Sequence, residues 1–149
     1  MVDMGVPGYL VASSVIAILA QRLVRVVCSK CKQPYTPSEA ALREGGITPE
    51  QAATATFARG KGCGHCQRSG FRGRLGIFEL MLVTSRIREA VFKQATTQEI
   101  RRIAITQGMR TLYSDGINKV LAGITTLEEV YRSAKRTEQD TYVPLTGST

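Results

Sequence analysis

The chain has 149 residues, a formal net charge of +8 and 43% hydrophobic residues, with no Trp and only 6% aromatics. That length allows one ordinary domain or two small ones, and the apolar content excludes a wholly disordered protein. The core has to be built mostly from Leu, Ile, Val and Ala, and the positive balance fits acidic partners, nucleotides, nucleic acid or anionic lipid as well as an ordinary mildly basic protein.

The one long apolar run covers residues 9–20. It is too short to span a bilayer, which takes about 20 residues. Asp3 precedes it, where a secretory signal would carry positive charge. The chain therefore reads as cytosolic, a compartment that keeps thiols reduced. Ala12, Ile16, Leu19, Leu23 and Val26 recur at helical spacing, and Val11, Val15 and Ile18 add a second apolar face, so residues 8–27 are predicted to form one buried helix. A helix apolar on two sides asks for cover on both, more than a short chain offers it.

Residues 33–37 (Gln-Pro-Tyr-Thr-Pro) interrupt helical structure. Short helices are predicted over 38–44 and 48–56, split at Gly45-Gly46, the second opening with Thr48 as cap and Pro49 at the first helical position. Residues 57–83 mix Gly, Arg and alternating apolar positions and read as turns with two or three short strands. Helices are predicted next over 85–95, 97–107, 111–122 and 126–135, with capping boxes expected at Thr96–Glu99 and Thr125–Glu128 and helix-ending glycines at Gly108 and Gly123. Residues 136–149 are polar and are expected to be disordered. The fold class is α+β with helices dominant: an N-terminal helix, a zinc knuckle with a small antiparallel sheet, and a C-terminal helical bundle.

The chemistry-bearing signal is cysteine. Cys28-x-x-Cys31 is followed after 31 residues by Cys63-x-x-Cys66. Two residues between thiolates let one tight turn aim both sulfurs at one ion, and two such turns complete the tetrahedron that zinc accepts. The spacing between pairs exceeds that of ordinary zinc ribbons, but loop closure costs only the logarithm of length, and the predicted helices at 38–56 fill the insertion. Lys30, Lys32, Lys61, Arg68 and His65 flank the pairs and soften the charge of four thiolates. Disulfides, a redox couple, unrelated core thiols and an iron–sulfur cluster are the competing readings. The single histidine, His65, is expected to be a spectator, because four sulfurs saturate the ion. A fully ligated zinc has no open position for water and is structural. The sequence holds no Gly-x-x-x-x-Gly-Lys-Ser/Thr loop and no credible Ser/His/Asp set, so this chain alone is not expected to be an enzyme.

Several motifs in order resemble a known family. Val2-Asp3-Met4-Gly5-Val6, Leu10-Val11-Ala12-Ser13-Ser14 and Leu19-Ala20-Gln21-Arg22-Leu23-Val24-Arg25 resemble the end of the ATPase core in type II secretion and type IV pilus assembly ATPases. Gly62-Cys63-x-x-Cys66 and Ser69-Gly70-Phe71-x-Gly73-Arg74-x-Gly76-Ile77-x-Glu79-Leu80 resemble that family's metal-binding subdomain. Gly108-Met109-x-Thr111-Leu112, Asp115-Gly116, Lys119-Val120 and Gly123-x-Thr125-Thr126-x-Glu128-Glu129-Val130 resemble its C-terminal helices. The likeness covers about residues 1–133.

The resemblance implies residues 1–27 as the end of the ATPase core, 28–83 as the tetracysteine zinc subdomain, 84–135 as the C-terminal helical subdomain and 136–149 as a tail. It implies a cytoplasmic homohexamer held at the inner membrane by its partners, among them the platform protein of a secretion or pilus machine. ATP and magnesium belong to the intact protein, whose Walker motifs would precede Met1. It also places Arg22 and Arg74 near nucleotide or a subunit interface, where a guanidinium can stack on adenine or bond phosphate. A basic zinc-ribbon that binds nucleic acid, and a bare scaffold module, are the alternatives. The first draws on Arg59, Lys61, Arg68, Arg72 and Arg74, but Tyr35, Phe57 and Phe71 are not interleaved with them as a stacking platform requires, and nucleic acid is not expected as a partner.

Overall fold

The computed structural model describes residue 5 and residues 7–137. The disorder expected over 136–149 lies, from residue 138 on, outside the described residues. In chain order the elements are α1 (Gly8–Ser14), β1 (Ala17–Val27), β2 (Lys32–Pro34), α2 (Glu39–Glu44), α3 (Pro49–Thr54), β3 (Ala58–Gly60), a 3-10 turn (Gly64–Cys66), β4 (Phe71–Leu82), α4 (Ser85–Phe92), α5 (Thr97–Thr106), α6 (Leu112–Leu121) and α7 (Leu127–Ser133). β1 pairs with β4, and β2 pairs antiparallel with β3, Gln33 opposite Arg59. The fold class is α+β with helices dominant and a small antiparallel sheet beside the cysteines, as expected. Among the described residues no helix is long and apolar enough to cross a membrane.

The predicted helix over 8–27 is corrected. It stops at Ser14, and residues from Ala17 to Val27 form a strand. Ile16 is 79% and Leu19 61% exposed, and Leu23 is also exposed, so the expected helical face does not exist, while Val24 is buried to 1%. A short apolar run fits either period, and periodicity alone does not separate them. The partner strand β4 decides, because β-branched Val24, Val26 and Val27 suit a pleated surface. Residues 33–37 also hold more than a helix break, since Lys32–Pro34 forms β2.

The chain divides into two compact units, the first Met1–Ala20 with Phe78–Thr111 and the second Gln21–Ile77 with Leu112–Thr149. In the first, Val83, Ile87, Ala104 and Met109 form a core that Met81, Val91, Ile100 and Ile103 extend. α5 opens with the expected capping box: Thr96 Oγ1 accepts from Glu99 N and Glu99 accepts from Thr96 N. It ends as expected at Gly108, in the left-handed region at φ +94°.

The second unit is built around Val24, Ile77, Phe57, Ile117, Val120 and Val130. α3 starts with a capping box between Thr48 and Gln51 and with Pro49 at its first turn. α6 closes through Gly123 N to Val120 O (2.8 Å) and Ile124 N to Lys119 O (2.9 Å), with Gly123 left-handed. Tyr113 and Tyr131 stack with ring centroids 6.4 Å apart. Their hydroxyls donate to Gly45 O and Ala41 O, tying the end of α2 to α6 and α7. The box expected at Thr125–Glu128 does not form. Thr126 takes the cap position without a side-chain bond, and Thr125 Oγ1 donates instead to Arg25 O at 2.8 Å. A buried hydroxyl needs a partner, and the strand carbonyl supplies one that local sequence does not reveal.

Candidate metal centre

Both cysteine pairs sit where a strand gives way to a turn. Cys28 follows β1, with its N–H bonded to Gly70 O at 2.9 Å, and Cys31 N closes a turn onto Cys28 O at 3.2 Å. Cys63 opens the 3-10 turn that carries Cys66, and Gln67 and Arg68 then adopt left-handed backbone. The pairing of β2 with β3 brings the two turns together: Lys61 N bonds Cys31 O at 3.0 Å. Glycine is required here. A Cβ on Gly60 would lie 2.0 Å from Gly70 O, and one on Gly62, itself at φ +90°, would lie 2.7 Å from Arg68 O. No side chain fits either place.

The four ligand atoms of Cys28, Cys31, Cys63 and Cys66 lie within 4.8 Å of one another. Cys31 Sγ to Cys66 Sγ and Cys63 Sγ to Cys66 Sγ are 3.8 Å, and Cys28 Sγ to Cys63 Sγ is 4.0 Å. Four sulfurs about 2.3 Å from a central ion in a tetrahedron have edges of about 3.8 Å, so this cage has the right size for such an ion. All four cysteines are free. Cys28 and Cys66 are buried, and Cys31 and Cys63 are half-buried.

Backbone amides supply further polarity. Cys66 Sγ accepts from Cys63 N (3.2 Å) and Gly70 N (3.3 Å), and Cys31 Sγ accepts from Gly62 N (3.3 Å). The Cys63 N–H is the main cause that holds the Cys66 thiol down at about 6, against desolvation and with help from Gly70. Desolvation is the main cause that pushes Cys31 up to about 12, and the Gly62 N–H opposes it. Thiolates this close together repel one another, and a cation at their centre relieves that repulsion. The donor set can therefore hold a metal ion.

His65 is exposed and outside the sulfur cluster, and its carbonyl accepts from Arg72. Arg22 on β1 and Arg74 on β4 are both exposed, and the structure does not bring them to the cysteines. The basic residues around the second pair are partly engaged already. Arg59 lies over the Tyr35 ring at 5.0 Å and pairs with Glu128 at 3.4 Å.

One interaction beside the site is invisible in the sequence. Arg25, three residues before Cys28, donates to both oxygens of Glu129 from Nε (2.9 Å) and Nη2 (2.6 Å), and its backbone N adds a third contact at 3.3 Å. The same guanidinium lies 4.4 Å from the centre of the Phe71 ring. The bonds to Arg25 hold the Glu129 carboxyl below its usual range, against desolvation. The partners are 104 residues apart, and no local signal in the sequence links them.

The sequence matches the family described as Type II/IV secretion system protein over residues 1–132. It is 45% identical over 132 residues to a type II secretion system protein E of Pseudomonas aeruginosa, covering 89% of this chain and 26% of that protein. It is 41% identical over 128 residues to the type IV pilus assembly ATPase PilB of Thermus thermophilus, covering 86% of this chain and 14% of that protein. It is 37% identical over 133 residues to a type II secretion system ATPase E of Vibrio cholerae, covering 89% of this chain and 26% of that protein. The chain thus spans about a quarter or less of these relatives. Tetracysteine cage, strand pairing and helical ends lie within the matched residues, and the chain belongs to the type II/IV secretion system protein family.

Proposed function

We propose that this chain is the zinc-binding C-terminal module of a hexameric cytoplasmic ATPase that powers type II secretion or type IV pilus assembly. The observation that carries the reading is the sulfur cage, whose edges of 3.8 to 4.0 Å suit a tetrahedral zinc. Cys28, Cys31, Cys63 and Cys66 would hold the ion. Zinc would supply a cross-link between two turns that lie far apart in the chain, with these four cysteines as its ligands. The chain's own residues shape the cage through Gly60, Gly62 and the N–H groups of Gly62, Cys63 and Gly70. The module is not expected to hydrolyse ATP alone. In the intact protein the exposed Arg22 and Arg74 contribute to nucleotide affinity or to a subunit contact, and neighbouring subunits and an inner-membrane platform protein are the partners.

This reading is preferred to nucleic-acid binding because the aromatics beside the basic residues are occupied: Phe57 is buried, Phe71 lies under Arg25 and Tyr35 under Arg59. Elemental mass spectrometry of the chain purified without chelator should find one zinc per chain, lost in the Cys63→Ser, Cys66→Ser double variant. A metal-free wild type, or one zinc retained by the double variant, would overturn the site. In a full-length member of the family, Arg74→Ala should weaken ATP binding, and unchanged binding and turnover would end the nucleotide role.

A further inference from the structure

We infer that the cage is a peroxide-sensitive clasp in which Cys63 is oxidised first and Cys66 resolves it, releasing the metal. The inference rests on the zinc reading of the four cysteines. Of the four sulfurs, Cys31 and Cys63 are half-buried, while Cys28 and Cys66 are only 1% and 5% exposed. A peroxide arriving from solvent therefore meets Cys31 or Cys63.

The outcome of that encounter depends on which sulfur can reach a partner. A disulfide needs sulfurs about 2.05 Å apart, so a pair at 3.8 Å must close by almost 2 Å. Cys63 and Cys66 sit on one loop, residues 61–70, between β3 and β4. Closing that pair adjusts a 3-10 turn and the left-handed residues Gln67 and Arg68, all outside the strands. The bonds of Cys63 stay within its own loop, whereas Cys31 is tied to the other turn: its carbonyl accepts from Lys61 N, its sulfur from Gly62 N, and β2 begins at the next residue. Cys28 is anchored by its N–H to Gly70 O and comes directly after Val27, whose N–H bonds Ile124 O. Pairing either of them with a sulfur on the other turn moves a strand end.

The steps balance. The Cys63 thiolate displaces hydroxide from hydrogen peroxide and becomes a sulfenic acid. The Cys66 thiolate then attacks that sulfur, forming the disulfide and releasing a second hydroxide. Two electrons pass from two thiolates to one peroxide. Cys28 and Cys31 remain, half of a tetrahedral site, and the metal dissociates. The two turns then keep the short pairing of β2 with β3 and the backbone bonds of Cys28 N to Gly70 O and Lys61 N to Cys31 O, without the metal cross-link. A thiol reductant with zinc rebuilds the cage.

The test uses the zinc-loaded full chain, titrated with hydrogen peroxide while a chromogenic chelator reports free zinc, then alkylated and mapped by mass spectrometry. One zinc should appear for each two thiols lost, the first disulfide should join Cys63 to Cys66, and Cys28 and Cys31 should still be alkylated. Dithiothreitol with zinc should restore both metal and thiols. A first disulfide containing Cys28 or Cys31, or zinc release with all four thiols alkylated, would overturn the inference while leaving the zinc site standing. A chain that holds no zinc before peroxide is added would remove the zinc reading itself, and the inference with it.

Discussion

Replacing Glu129 by Gln tests how the last helix is tied to the strand that leads into the metal centre. The substitution keeps the volume and one acceptor oxygen but removes the charge that Arg25 meets through two side-chain bonds. The carboxylate side chain is 8% exposed and the guanidinium 44%. Breaking a fully buried pair costs about 3–5 kcal/mol, and an exposed pair is worth about 0–1 kcal/mol. Here the orphaned charge would be Arg25, which water and the Phe71 ring can still stabilise, so the expected loss is about 2 kcal/mol. For a chain of this size that is about 4–8 °C in melting temperature. Arg25→Ala also removes the contact with Phe71, worth about 0.5–1 kcal/mol. The assay is therefore a double-mutant cycle by urea unfolding, with an expected coupling of about 1–2 kcal/mol. Glu129 is held below its unfolded value, so its contribution is complete above the unfolded range near about 4.3 and is lost as pH falls through the lower folded value. The gap between wild type and Glu129→Gln should accordingly close below about pH 4. A coupling under about 0.5 kcal/mol at pH 7, or a gap independent of acidification, would refute the reasoning.

The same geometry sets the outcome of other perturbations. Gly60→Ala puts a methyl 2.0 Å from the Gly70 carbonyl and should cost more than about 3 kcal/mol, with loss of zinc in metal analysis. Ile77→Ala, at a fully buried position, should cost about 2–5 kcal/mol in urea unfolding while zinc content is retained. Chelation of the metal should speed amide exchange at Lys32, Gln33 and Ala58–Gly60, with exchange over Thr97–Thr106 unchanged. Zinc retention should fall steeply on acidification, because protons compete for all four thiolates, and a flat profile between about pH 7 and 5 would argue against sulfur ligation.

The site was legible in the sequence because its chemistry is local. A Cys-x-x-Cys turn needs only its own four residues to aim two sulfurs, and Thr48-Pro49, Thr96 with Glu99, Gly108 and Gly123 each satisfy helix ends from within a few positions. No local signal names a partner for residues 17–27, and there the reading failed: whether Val24, Val26 and Val27 lie on a helix or a strand depends on β4, some fifty residues away. Thr125 and Glu129 show the same limit, since both bond to Arg25, about a hundred residues earlier, and Thr125 does so in place of the local box expected with Glu128. The backbone approach of Gly60 to Gly70 comes from closure of the loop that joins β3 to β4. Sequence by itself determined the two Cys-x-x-Cys turns and most helix boundaries, through short-range hydrogen bonding and turn chemistry. Tertiary structure alone decided the first strand, the cage edges and the Arg25–Glu129 tie, because each depends on groups that meet only once distant segments have packed.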